Sequence, residues 1–300
     1  MTLLELIQQV TGELGLTQPT VVAGSTDPQI IQFVALLNRL GNDLTRQFDW
    51  ERLNKEFIIN TVVTTTTGDT VEGSAVITNI PDTTGLTTQY GIQGTGITEF
   101  SQIESVDNMT QITMTMPATE TATGVSLDFG QIQYSLPDDW MKQIPQTEWD
   151  RTNRWPLMGP NSPQDWQSFK SGIVYAGPRV RFRILNRAIT LNPMPGNGWV
   201  FAYEYISNYW VNDATDVAKP KFTADDDTSI WPDSLLITGL KSQWKVAKGL
   251  DAGFDLAEFK GLLEQCKSQD KSAKKLSLSP VGSTVLLTTN NVMDGNWPGN

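Results

Sequence analysis

Apolar positions in this chain keep a helical period near both ends and an alternating period in the middle. Thr2 with Glu5 has the spacing of a capping box, and Leu3, Ile7, Val10 and Leu14 recur at helical intervals. A turn-rich stretch, Gly15 to Ser25, separates this helix from a longer one. Thr26 with Gln29 repeats the capping-box spacing, and Pro28 suits a first helical turn. Ile30, Phe33, Val34, Leu37, Leu40, Leu44 and Phe48 then trace one stripe, opposite Gln32, Asn38, Arg39, Asn42 and Arg46. The pattern predicts a helix ending near Trp50. Helical spacing returns after Pro232, with Leu236, Leu240, Trp244 and Ala247. After a break at Gly253, Phe254, Leu256, Phe259, Leu262, Leu263 and Cys266 form a further stripe.

Between these ends the texture is different. From Phe57 to Phe129 the chain is rich in Thr, Val, Ile and Gly, and after Lys55 the next basic residue is Lys142. Thr61 to Thr67 is nearly all β-branched, which favours strand. Alternation runs through Val76 to Ile80 and Ile112 to Met116, with turn signals at Gly68-Asp69, Pro81-Asp82, Gly94 to Gly96, Asp107-Asn108 and Gly124. The arrangement predicts a compact all-β module inserted into a surface hairpin of a host domain. Farther on, Val180, Phe182 and Ile184 alternate with Arg179, Arg181 and Arg183, predicting a half-buried strand with a basic outer row. Phe201, Tyr203 and Tyr205 alternate with Val200, Ala202, Glu204 and Ile206, predicting a strand covered on both faces. Ile189 to Leu191 leads into the turn Asn192 to Gly196.

Amphipathic helices must bury their stripes on something. The simplest expectation is an α+β fold in which N- and C-terminal helices form one helical bundle. An antiparallel β region projects from it, carrying the inserted β module, and an extended arm follows. The corresponding segments are 1–56 and 229–268 for the bundle, 57–72 as an extended connection, 73–129 for the module, 130–228 for the β region and 269–300 for the arm.

Composition narrows the chemistry. The 300 residues include no histidine and one cysteine. Without histidine there is no Ser-His-Asp or Cys-His pair, no HExxH zinc helix and no Cys/His zinc cluster. No catalytic residue, metal site or cofactor is expected. A lone Cys266 on an apolar face reads as an inert core thiol. Glu5 inside the first apolar stretch, and the lack of a basic start, argue against a signal peptide. No run of apolar residues approaches the length of a membrane span. The net charge of −11 argues against wrapping nucleic acid, since phosphate neutralisation needs Lys and Arg. Negative charge keeps a protein soluble, and an acidic wall also suits DNA that must slide past without sticking.

Several pieces in order resemble the head-to-tail adaptor (connector, or tail tubular) proteins of tailed bacteriophages. They are the long helix ending in Phe48-Asp49-Trp50; Tyr134 to Trp140; Gly159-Pro160 with Trp166; Ile189 to Pro195; Phe201 to Ile206 with Trp210; and Phe222 to Asp227, leading to Pro232, Leu235-Leu236 and Trp244. The insert, with Gly73 to Thr78, Gly94 to Ile97, Ile103 to Val106, Gln111 to Met114 and Ala122 to Gly124, is similar to a small β module of phage and bacterial surface proteins. The resemblance implies a structural virion protein of the neck, made in the bacterial cytoplasm and lacking a membrane anchor. It implies a homo-oligomeric ring of about twelve copies beneath the portal protein. Such a ring extends the channel for double-stranded DNA and seats a tail or nozzle protein. It also implies that the C-terminal arm clasps the portal, with Leu276, Leu278, Val285, Leu286, Leu287 and Trp297 as candidate contacts. An extended arm of this length spans up to roughly 100 Å, and its Thr/Val/Leu stretch suits strand addition to another subunit.

Other chemistry is weighed against simpler readings. Asp225-Asp226-Asp227 lacks EF-hand spacing and reads as a solvated loop before a helix. Asp138-Asp139, or Glu148 with Asp150, are possible glycosidase carboxylates, although Asp after Pro is ordinary turn chemistry. Six of the ten Trp lie between Trp140 and Trp210, and core or subunit-interface positions are the simpler account than a sugar-stacking platform. Arg179, Arg181, Arg183 and Arg187 suit a solvated strand face, contact with an acidic neighbouring subunit or, less well, a DNA path, and with Asp225, Asp226 and Asp227 they are the candidates for the subunit interface. The competing function is a carbohydrate-binding or carbohydrate-cleaving, β-rich, tail-fibre-like protein.

Overall fold

The computed structural model describes residues 1–170 and 179–270. The elements are α1 (Leu3–Glu13), α2 (Pro28–Gln47), a 3-10 turn at Glu51–Leu53, β1 (Asn54–Asn60), β2 (Val63–Thr70), β3 (Val76–Ile77), β4 (Tyr90–Gly94), β5 (Ile103–Asn108), β6 (Gln111–Met114), β7 (Ala122–Gln131) and β8 (Gln133–Ser135). They continue with β9 (Trp140–Gln143), β10 (Trp149–Asp150), β11 (Trp155–Pro156), α3 (Pro163–Lys170), β12 (Arg181–Leu185), β13 (Ala188–Asn192), β14 (Val200–Ser207), β15 (Val211–Asn212), β16 (Ala218–Lys219), β17 (Thr228–Ser229), α4 (Asp233–Ala247) and α5 (Gly253–Asp270).

This corrects the expected fold class. The chain is not based on a helical bundle; strand exceeds helix, and the strands form several small antiparallel sheets. The reason lies in what covers the helical stripes. On α2, Phe33 stacks on Trp244 of α4 (ring centroids 5.6 Å apart), as helix-on-helix packing requires. Leu40 also packs against Gly239 of α4, but much of the remaining stripe meets non-helical chain. The Trp210 ring lies against Gly41, the Trp50 indole N–H donates to the Leu44 carbonyl (2.7 Å), and Trp50 packs edge-on against Trp231. The stripe expected on α5 is only partly used. Leu263 and Cys266 are buried, but Phe254 is 82% exposed and Leu256 is also exposed. One helix boundary also shifts. The N-cap of α2 is Asp27, whose carboxylate accepts from the Gln29 N–H (2.8 Å), so Pro28 opens the helix and Thr26 lies outside it.

The chain divides into two compact units. The first comprises Met1–Lys55, Asp138–Gln143 and the described part of Tyr205–Val281. Here α4 packs against α1, α2 and α5. The Thr2–Glu5 capping box is present, with Glu5 N–H donating to Thr2 Oγ1 (3.3 Å) and Thr2 N–H to Glu5 Oε2 (3.0 Å).

The second unit contains Glu56–Pro137 and Ile144–Glu204. In it β2, β7 and β4 form one sheet, and β3, β6 and β5 another. The β2–β7 ladder runs from Val63↔Gly130 to Thr70↔Ala122. Ile77, Ile80, Ile92, Ile103, Ile112, Met114, Leu127 and Phe129 form a shared core between these strands. Ile112 and Met114 are buried while Thr113 is not, the alternation that half-buried β-sheet demands. A third sheet has the order β12-β13-β8. The Arg181 alternation fails there. Val180 and Phe182 are buried, but so is Arg181, and Ile184 is only half-buried. The β12 edge at Arg181 is also paired: the Met158 N–H donates to the Val180 carbonyl and its carbonyl accepts from the Phe182 N–H (both 3.0 Å).

Candidate functional site

The acidic triplet is the first expectation to change. Asp227 is fully buried, its Oδ1 is 2.6 Å from Lys219 Nζ, and its Oδ2 accepts from the Thr223 and Ala224 N–H groups (2.7 and 2.9 Å). Burial pushes this carboxyl up, but Lys219 and the two backbone donors outweigh it and hold it below the ordinary value. Asp225 accepts from the Val22 and Ala23 N–H groups, and its carbonyl accepts from the Leu4 N–H (3.1 Å). The Asp227 carbonyl accepts from the Leu3 N–H (2.8 Å). This is not a solvated loop. It ties the first turn of α1 and the Val22 region to the segment before α4, and only Asp226 of the three is exposed.

Among the arginine candidates, Arg187 is exposed and donates to the Pro137 carbonyl (3.3 Å), Arg183 and Arg179 are half-buried, and Arg181 is buried. The candidates Leu276, Leu278, Val285, Leu286, Leu287 and Trp297 lie outside the described residues.

Asp139, within the motif that carries the resemblance, is a structural node of the first unit. Lys55 Nζ (2.6 Å) and Ser207 Oγ (2.7 Å) meet one carboxylate oxygen, and the Tyr205 hydroxyl donates to the other (2.8 Å). Burial raises its pKa, yet these three donors together leave it below the usual carboxylate range. Burial and the neighbouring Asp139 charge push the Tyr205 phenol upward. Both oxygens of Asp139 are thus occupied by fixed structural partners.

A roomy concavity lies wholly within the second unit. It is a cleft of about 580 Å³ built from the start of β1, the 146–154 segment and β14. Strand β10 is its frame: Trp149 pairs with Ala202 and Asp150 with Phe201 of β14, while the same two residues pair with Pro156 and Trp155 of β11. Asp150 shapes the turn that follows. Its carboxylate accepts from the Thr152 and Asn153 N–H groups (both 3.0 Å) and from the Asn153 amide (2.7 Å). Arg151 pairs with Glu56 across one wall. Thr147 Oγ1 donates to the Ile144 carbonyl (2.7 Å) and accepts from the Glu204 N–H (3.0 Å). Gln146 and Arg154, both lining the cleft, have left-handed backbone (φ 67° and 60°), a conformation unusual outside glycine and asparagine. Beside the cleft, burial pushes the Glu148 carboxyl up. Sequence reasoning singled out Glu148 and Asp150 as a carboxylate pair and missed the cleft. Asp150 is committed to its own turn, and Glu148 does not line the opening.

Among the described residues no group of three or more His, Cys, Asp or Glu is placed to hold a metal ion. No described helix is long and apolar enough to cross a membrane. No family model matches the chain, and a search of curated proteins finds no match.

Proposed function

We propose that this chain is a structural virion protein, a head-to-tail adaptor that assembles with copies of itself beneath a portal ring, extends the DNA channel and seats the tail. The observation that supports this most is unsatisfied apolar surface on the unit that holds both the N-terminal helices and the α4–α5 hairpin. In that unit the α4–α5 hairpin leaves Val246, Leu250, Phe254 and Leu256 exposed, Phe254 by 82%. Large apolar side chains gathered on one exposed element mark association surfaces. Copies repeated about an axis would cover them, whereas a free monomer would leave them wet. Exposed Asp226 and half-buried Arg183 are candidates for charge pairing between acidic neighbours. The net charge of −11 suits a lumen along which DNA slides. The ring number, the neck location and the portal and tail partners belong to this proposal.

The test is to mix the full chain with a purified portal ring and image the mixture by negative stain. A new tier of density on one face of the portal is expected. Portal rings that stay bare at saturating protein reject the reading. Ending the chain at residue 275 removes all six clasp candidates and is expected to abolish docking; unchanged docking rejects the clasp.

A further inference from the structure

We infer that the cleft framed by β10 and β14 in the second unit binds a short, neutral oligosaccharide. The inference stands apart from the adaptor reading and rests on the lining of the cleft. Its volume of about 580 Å³ falls inside the range of small-molecule pockets, roughly 300–1,000 Å³. One half-buried aromatic side chain, Trp149, contributes to the wall, while neighbouring Tyr203 is buried. An aromatic face beside polar groups suits a ring that presents C–H bonds on one side and hydroxyls around its edge.

Charge then selects among ligands. Within the lining Arg151 is neutralised by Glu56, and Asp150 is spent on its own turn. Exposed Arg154 and exposed Glu204 remain, and neither has a side-chain partner among the described residues. Two arginines against three carboxylates, Asp150 included, leave the lining slightly acidic, which does not attract a phosphate. A protein of net charge −11 disfavours polyanions further. Hydroxyl groups, which both donate and accept, match such a mixed pair, and Gln146 adds an amide that does both. Gln146 and Arg154 are two of the seven non-glycine residues with left-handed backbone among the described residues. Strained backbone of this kind is concentrated where side chains must be presented at a set position.

The experiment uses the full chain and its ten tryptophan indole N–H signals. Maltotriose, chitotriose and raffinose are titrated separately, followed by nitrogen–proton correlation spectra, with the Trp149 signal assigned by its loss in Trp149→Phe. At least one sugar is expected to move the Trp149 signal and leave most others in place. Glu204→Gln and Arg154→Gln should each weaken that binding by about tenfold. Both side chains are exposed, so both variants should melt with the wild type and report on the cleft alone. A Trp149 signal that none of the three sugars moves overturns the inference, as does wild-type affinity retained in both variants. Inorganic phosphate or a pentalysine peptide moving Trp149 where sugars do not would mark a site for a charged ligand and also overturn it.

Discussion

Replacing Gly41 by alanine sets two opposing effects against each other, and the structure decides which wins. In an exposed helix interior the change would stabilise by about 0.8–1.0 kcal/mol, because alanine restricts the unfolded chain and favours helix. Here a Cβ at residue 41 would sit 2.1, 2.2 and 2.4 Å from three carbons of the Trp210 ring. No carbon pair tolerates that approach, so the ring must move by more than an ångström. It has nowhere to go: Trp210 is fully buried, Phe222 packs edge-on against it at 5.2 Å, and its indole N–H donates to Asn42 Oδ1 (3.0 Å). Overpacking of this kind costs about 1–3 kcal/mol, and loss of the indole hydrogen bond adds about 1 kcal/mol. After the propensity gain, Gly41→Ala should destabilise by about 2 kcal/mol. Urea denaturation followed by tryptophan fluorescence measures this directly. The double mutant with Trp210→Phe makes the test specific. In that background the smaller ring relieves the clash, and Gly41→Ala should become neutral or mildly stabilising, a coupling of about 2 kcal/mol. A neutral or stabilising Gly41→Ala in the wild-type background would refute the packing account outright.

Other outcomes follow from the same physics. Gly130→Ala brings a Cβ to 2.8–2.9 Å from Met194 Sδ and Cγ; because a methionine yields more readily than a wedged indole, the loss should be about 1 kcal/mol, smaller than at Gly41. Asp227→Asn removes the charge facing Lys219 and should cost about 1–3 kcal/mol at neutral pH, read from the urea midpoint. The folded pKa values of Asp227 and Asp139 lie below the ordinary 3.8, so their contribution is complete above about pH 4 and is lost as pH falls through the lower folded values. Midpoints measured downward from pH 6 should therefore drop steeply below about pH 4, and less steeply in Asp227→Asn. Buried Cys266 should react with a thiol reagent only as fast as the protein opens, and at once in denaturant.

Much of the local structure was legible because it rests on local rules. The Thr2–Glu5 capping box, the 3.6-residue stripe of α2 and the two-sided burial of β14 are each encoded within a few turns or one strand. The partner of each stripe was not legible. Trp210 lies far from Gly41 in sequence, and nothing in either neighbourhood announces that an indole rather than another helix fills the groove. That gap produced the mistaken helical-bundle expectation. Three consecutive aspartates look solvated because isolated carboxylates resist burial. The signal against that reading was Lys219, eight residues before Asp227, which supplies the compensating charge. The capping-box spacing pointed to Thr26, but Asp27 is as good a cap residue and takes the position one residue on. The cleft had no sequence signal at all. Its walls come from three separate stretches, and its left-handed residues are a glutamine and an arginine, neither of which marks a turn.

The buried charges share a design that bears on how the first unit holds together. Asp139 joins Lys55 to Tyr205 and Ser207, the Asp225 carboxylate accepts from the Val22 and Ala23 N–H groups, and Asp255 meets Lys241 and Lys245 while Lys241 also pairs with Glu13. In each case one end of the interaction is supplied by a segment remote in sequence or by a different helix. Lys241 illustrates the effect: its bond to Glu13 raises the ammonium pKa and lowers that of the carboxyl, so each stabilises the charged form of the other. Buried pairs add little net stability against a well-packed apolar alternative, but breaking one leaves an uncompensated charge. Their contribution is therefore selective. A wrongly docked terminus would strand a buried Asp, and that penalty discriminates against it even where apolar packing alone would tolerate the error. For a unit assembled from three separated stretches of chain, this penalty supplies specificity that greasy helix faces lack.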